Sequence, residues 1–226
     1  MSIEEGLAAV RERIRKAAAQ ANRDAREIKL VAVSKAQPAE AIRRAHAAGQ
    51  RAFGESYAQE LAAKAEALAD LGDIVWHFIG HLQTNKAKIV ARHAHVVHSV
   101  DSEVLARELG KRVAREEGSG ALPVFIEVNV AREPQKAGAS PSEIGDVMRA
   151  IRAEPALSLR GLMTVPPAGD IDAARGVFGA LATLRALHGG PAALPDLSMG
   201  MSGDFETAIA CGSTCVRIGT AIFGER

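Results

Sequence analysis

The chain has 226 residues, 47% hydrophobic and 24% charged, and its 28 Lys and Arg against 27 Asp and Glu leave a formal charge of +1. That balance gives no basic field for nucleic acid and no acidic face for a cationic partner. Two cysteines, Cys211 and Cys215, argue against a disulfide scaffold, and no apolar run approaches the ~20 residues of a membrane span. The acidic start, Met1-Ser2-Ile3-Glu4-Glu5, is unlike a signal peptide, so a soluble cytoplasmic protein without membrane or nucleic-acid partners is expected.

Ile3, Leu7, Val10 and Ile14 recur at helical spacing and predict an amphipathic first helix over 2–21. Ile28 to Lys35 reads as a buried strand ending on a lysine, with Val31, Val33 and Lys35 on one face. A helix near 38–48 follows, opened by Pro38 and closed by Gly49. Strand 51–55 precedes a helix over 57–70 built on Leu61, Ala65 and Leu68. Strand 74–80 precedes a helix near 84–92, and strand 96–100 a helix from Asp101 or Ser102 to about 117. The second half repeats the alternation: strand 123–130, helix 141–154 opened by Ser140-Pro141-Ser142-Glu143, strand 159–164 and a helix near 172–188. Strand 197–200, a short helix at 204–211 and strand 215–219 complete it.

Eight strands alternating with helices predict a single α/β domain over 1–226, a closed (β/α)₈ TIM barrel with an extra N-terminal helix. A doubly wound open sheet is the alternative, but no G-x-G-x-x-G follows the first strand.

In such barrels chemistry collects at the carboxyl ends of the strands, here Lys35, Glu55, His77 to His81, Ser99, Asn129, Met163 with Thr164, Gly200 to Gly203 and Arg217 to Thr220. A partly buried lysine at a strand end presents an amine able to attack a carbonyl; the other reading is a strand-end lysine snorkelling into solvent. Met199-Gly200-Met201-Ser202-Gly203 and Ile218-Gly219-Thr220 offer bare amides and hydroxyls of the kind a phosphate binds, unless both are ordinary turns. Arg217 shares a face with Gly219 and, if interior, needs either a carboxylate such as Glu55 or Glu127 or a ligand acceptor. Amine, phosphate cradle and arginine together fit pyridoxal 5′-phosphate, its aldehyde forming a Schiff base with Lys35 and its ring nitrogen facing Arg217.

The motifs Val31-Ala32-Val33-Ser34-Lys35, Phe53-Gly54-Glu55-Ser56-Tyr57, Trp76-His77-Phe78-Ile79-Gly80-His81-Leu82-Gln83-Thr84-Asn85-Lys86, Val128-Asn129-Val130, Gly161-Leu162-Met163-Thr164, Leu197-Ser198-Met199-Gly200-Met201-Ser202 and Arg217 to Gly224 span nearly the whole chain. In them the sequence resembles the pyridoxal phosphate homeostasis proteins, which are similar to the barrel half of bacterial alanine racemases. The resemblance implies a cofactor on Lys35, phosphate contacts at Met201, Ser202, Gly219 and Thr220, Arg217 at the ring, and Asn129 and Met163 in the surrounding set. Ser56 departs from the family's usual Asn.

Two features speak against robust catalysis. A cationic arginine at the ring nitrogen makes the ring a poor electron sink, and the chain ends just after its eighth strand, where the similar racemases continue into a second domain. The expected role is therefore a monomeric carrier or buffer of pyridoxal phosphate that passes it to apoenzymes. A weak amino-acid racemase is the alternative, and a cofactor-free Schiff-base aldolase is a third. Lys86 and Lys136 read as solvated surface charge or as participants in release. The histidines and cysteines read as core or surface residues rather than metal ligands.

Overall fold

The computed structural model describes residues 2–116, 120–133 and 135–224. Eight parallel strands close into a barrel in sequence order: β1 (Lys29–Val33), β2 (Ala52–Glu55), β3 (Val75–Phe78), β4 (Val96–Val100), β5 (Leu122–Glu127), β6 (Leu157–Met163), β7 (Asp196–Ser198) and β8 (Cys215–Ile218). Closure is made by β8 on β1, with Val31 opposite Arg217 and Ala32 opposite Ile218. Helices α1 (Ile3–Gln20), α2 (Ala39–Ala47), α3 (Ala58–Ala67), α4 (Ala87–His93), α5 (Glu103–Val113), α6 (Ile144–Arg152), α7 (Ile171–Leu187), α8 (Gly190–Ala193), α9 (Phe205–Ala210) and α10 (Thr220–Phe223) cover the outside. The expected (β/α)₈ barrel is the fold. None of these helices is long and apolar enough to cross a membrane.

α1 stands outside the repeat. Ser2 accepts a hydrogen bond from the Glu5 amide while Glu5 accepts one from the Ser2 amide, a reciprocal cap that fixes its start. Its buried stripe of Leu7, Val10, Ile14, Ala17 and Ala18 packs across α9 and α10. At Gly6 a Cβ would fall 2.7 Å from the Ile222 carbonyl oxygen, so this crossing requires a glycine.

Two layers of side chains follow from the strand period of two. Phe53, Phe78, Phe178 and Phe205 lie fully buried in the main core with the helix residues. A Cβ at Gly54 would meet Val31, Val33 and Ile79, which places these residues inside the barrel.

Several boundaries differ from the sequence reading. β1 ends at Val33, so Lys35 lies in the turn beyond the strand. Pro38 precedes α2 as its cap residue. The helix expected near 84–92 opens with a 3₁₀ turn, Thr84–Lys86. Ser102 caps α5, which ends at Val113; its expected end near 117 lies outside the described residues. The expected start at 141 is a turn before α6, with the Ser140 amide and hydroxyl both donating to Glu143. α10, absent from the sequence reading, forms in the last segment.

Candidate functional site

A cavity of about 400 Å³ opens at the carboxyl ends of the strands and is lined by Lys35, Ser56, Met201, Ser202, Arg217 and Thr220, with Val33, Ile79 and Gly219 among its other walls. A larger open groove of about 560 Å³, lined by charged residues of α5, contains none of the strand-end residues. The mouth cavity is the chemically differentiated one. Lys35 is half-buried there, its Nζ 5.9 Å from the centre of the exposed Tyr57 ring.

The turns after β7 and β8 meet at this cavity. The Ala221 amide donates to Ser202 Oγ at 3.4 Å, tying one turn to the other. Among the described residues, the backbone amides of Ser202, Gly203, Gly219 and Thr220 have no hydrogen-bond partner. Four unpaired N–H groups, with the hydroxyls of Ser202 and Thr220, form a donor set suited to an anion. At Gly219 a Cβ would stand 3.2 Å from the Val33 carbonyl oxygen, so a larger residue would push β1 and this turn apart. The Met201 amide is not part of the free set: it donates to Asp204 Oδ1 at 2.6 Å. Met201 still contributes its side chain to the wall.

Arg217 is buried inside the barrel. Its guanidinium donates to Ser198 Oγ at 2.7 Å and to the Thr164 carbonyl at 3.1 Å. Neither Glu55 nor Glu127 pairs with it. Burial pulls Arg217 below its ordinary pKa, but a guanidinium titrates so high that it keeps its charge. A buried cation held by neutral acceptors retains positive potential toward the cavity it lines.

Glu55 is taken by a different cation. Lys64 of α3 is buried, and its Nζ donates to Glu55 Oε1 at 2.8 Å, Glu60 Oε1 at 2.7 Å and the Ser34 carbonyl at 2.6 Å. Ser34 Oγ donates to Glu55 Oε1 at 2.6 Å, and the Ala36 amide to Glu60 Oε1 at 2.6 Å. Both neighbours of Lys35 are thus clamped to one ammonium. The clamp also holds Ala36 at φ +61°, a left-handed conformation costing an alanine roughly 1–3 kcal/mol.

The sequence matches the alanine racemase N-terminal domain family over residues 6–226. A pyridoxal phosphate homeostasis protein of Pseudomonas aeruginosa is 46% identical over 227 residues, covering 100% of this chain and 96% of the relative. The chain belongs to the pyridoxal phosphate homeostasis protein family. PipY of Synechococcus elongatus PCC7942, solved without pyridoxal phosphate, superposes with a TM-score of 0.87 at 36% identity, over 99% of this chain and 100% of PipY. The PipY structure with pyridoxal phosphate bound gives 0.83 over the same coverage.

Of the residues this family resemblance predicts, the structure brings Lys35, Met201, Ser202, Arg217, Gly219 and Thr220 to one cavity, and Ser56 with them. Asn129 and Met163 are not among its walls. Asn129 organises the β5–α6 loop, its side chain donating to the carbonyls of Glu133 and Lys136 and accepting from the Glu133 amide. Met163 packs with Val96 and Phe125. The histidines divide: His77 and His98 are buried, while His81 is solvent-facing near Asp101. No group of three His, Cys, Asp or Glu among the described residues is placed to hold a metal.

Glu127 was named in the sequence only as a possible partner for Arg217. Its carboxyl is pushed up to about 7, first by burial and then by the charge of Asp101, against the pull of Arg217. Its Oε2 has no partner among the described residues. An unfolded glutamate releases its proton near 4.5, so between there and about 7 the folded chain holds more protons and loses stability as pH rises. We expect a fall of about 2 kcal/mol, discounted for partial exposure, as pH rises from about 4.5 to about 7. Glu127→Gln should flatten the pH dependence of Tm in that window; an unchanged slope would place the titration elsewhere.

Proposed function

We propose that this protein binds pyridoxal 5′-phosphate at the barrel mouth and carries or buffers it, with Lys35 as the covalent anchor. The observation that carries this reading is one cavity holding a primary amine, four amides on two joined turns that are unpaired among the described residues, and a buried, permanently charged arginine. When bound, the cofactor supplies an aldehyde open to attack by a primary amine. Lys35 presents that amine, held from behind by the Lys64 clamp. Ser202, Gly219 and Thr220 hold the phosphate, and Met201 and Ser56 close the wall. Arg217 meets the ring nitrogen as an obligate donor. Met163 and Asn129 act behind this set, one by packing and the other by fixing its loop.

Because Arg217 cannot take up a further proton, it leaves the ring nitrogen unprotonated and the ring a weak electron sink. That chemistry suits storage and release better than turnover. The protein is accordingly read as a cytoplasmic, monomeric carrier without robust catalysis, its recipients apoenzymes that need the cofactor.

Adding pyridoxal phosphate to the purified protein should give a visible absorption band that borohydride removes, and peptide mapping should place the reduced label on Lys35. A protein that stays transparent, or a label on another lysine, would overturn the reading. Loss of optical rotation from L-alanine, abolished by Lys35→Ala, would show a racemase instead of a carrier.

A further inference from the structure

The turn after β7 carries an acid where the cradle needs donors. Met201, Ser202 and Gly203 supply three successive amides to this turn, and all three residues line the mouth cavity. Asp204 closes the turn from behind. Its own amide donates to the Met201 carbonyl at 3.2 Å, and the Phe205 amide donates to the same oxygen at 3.0 Å. Asp204 Oδ1 in return accepts the Met201 amide at 2.6 Å.

That last contact has two consequences for an anion. It satisfies the first of the three donors, so a ligand oxygen meets only the amides of Ser202 and Gly203 on this turn. It also fixes a half-buried carboxyl group immediately after those two amides in the chain.

This acid has no cation of its own. Among the described residues no lysine, arginine or histidine lies within 4 Å of its oxygens, whereas Glu206, two residues on, is matched by Arg13 at 2.6 Å. Burial pushes the Asp204 carboxyl up, opposed by the Met201 amide bond and by the charge of Arg217. Arg217 is held up in turn by Asp204, so the cation that faces the cavity already shares its field with this carboxyl. A cap alone does not require that charge, because asparagine accepts the same amide bond and caps a helix as well as aspartate does.

We infer that Asp204 is a positioning residue that holds down the cradle's affinity for phosphate, its carboxylate competing for the Met201 amide and repelling the ligand by like charge. A bound phosphate then leaves more readily than from a turn with three free donors. This rests on the phosphate reading of the two turns, and inorganic phosphate is the probe that tests the two apart. It is titrated into ¹⁵N-labelled protein without pyridoxal phosphate, against sodium chloride at matched ionic strength, while the Ser202, Gly203, Gly219 and Thr220 amides are followed. Asp204→Asn should tighten the phosphate Kd about fivefold, the worth of one partly screened like charge, and keep Tm. Asp204→Ser, a second neutral cap, should act in the same direction. Pyridoxal phosphate should gain by a similar factor, and pyridoxal, which has the aldehyde but no phosphate, should gain nothing. Glu206→Gln, whose charge Arg13 already offsets, should change the phosphate Kd by less than about twofold. A Kd unchanged or weakened in both Asp204 variants overturns the inference and leaves the cradle standing. An equal gain in Glu206→Gln, or with pyridoxal, marks a general field effect and overturns it as well. Phosphate that saturates none of the four amides overturns the cradle itself and the role of Asp204 with it.

Discussion

Lys35→Ala is expected to leave the barrel folded and abolish the borohydride-fixed label, with pyridoxal phosphate binding weakened about a hundredfold, or ~2.7 kcal/mol. The fold should survive because Lys35 lies in the turn past β1 and its Nζ makes no hydrogen bond among the described residues. Its neighbours Ser34 and Ala36, rather than Lys35 itself, fasten that turn. Binding should not vanish entirely, since the unpaired amides after β7 and β8 and the Arg217 charge remain. Equilibrium dialysis of wild type and variant, alongside their Tm values, checks both halves. Undiminished affinity would mean that the amine at position 35 is not the anchor.

Lys64→Met is expected to be the most destabilising of these changes, by about 3–5 kcal/mol, because it strands a buried carboxylate. Burial already pushes the Glu55 carboxyl up, and Lys64 is the main influence opposing that rise. Without it Glu55 keeps only Ser34, and one of its oxygens already has no partner among the described residues. For a chain of this size the loss corresponds to a Tm lower by on the order of 10 °C. Adding Glu55→Gln should recover much of that loss, since a neutral amide no longer needs a cation. A second consequence separates positioning from bulk stability. With the Ser34 carbonyl and Glu60 released, the strained Ala36 turn should relax and attachment at Lys35 should slow at temperatures where the variant is fully folded. Thermal melts of the single and double variants and stopped-flow absorbance at low temperature measure the two effects. A Lys64→Met protein as stable as wild type would show that the ion pair adds nothing.

Much of the site was legible because its residues sit at predictable points on a repeating pattern. Strands covered on both faces must be apolar throughout, so β4 could be read as 96–100 to the residue, and each strand end named its own candidates. The amine at Lys35 and the turns at Ser202, Gly219 and Thr220 are local features of this kind. Lys64 was not legible. On α3 it stands among Leu61, Ala65 and Leu68 like any lysine on an amphipathic surface helix, and only the packing of α3 against the Lys35 turn buries it. The Arg217 environment was half legible. An interior arginine was expected, but not that Lys64 would claim Glu55 and leave Arg217 to Ser198 and Thr164. The Met201 amide, expected to be free, is taken by Asp204 three residues on, a turn contact that sequence spacing allows but does not require.

What the sequence by itself determined is the order and kind of the elements, the family, and which residue types stand at each strand's carboxyl end, because these depend on periodicity and short-range motifs. The tertiary structure alone decided which of those residues face one another. Closing β8 onto β1 brings Arg217 beside Val31, and the same closure lets His98 reach Ser198, a hundred residues away in the chain. Pairings of that separation are set by barrel stagger and by competition among buried polar groups for too few partners, neither of which is written in any local stretch of the chain.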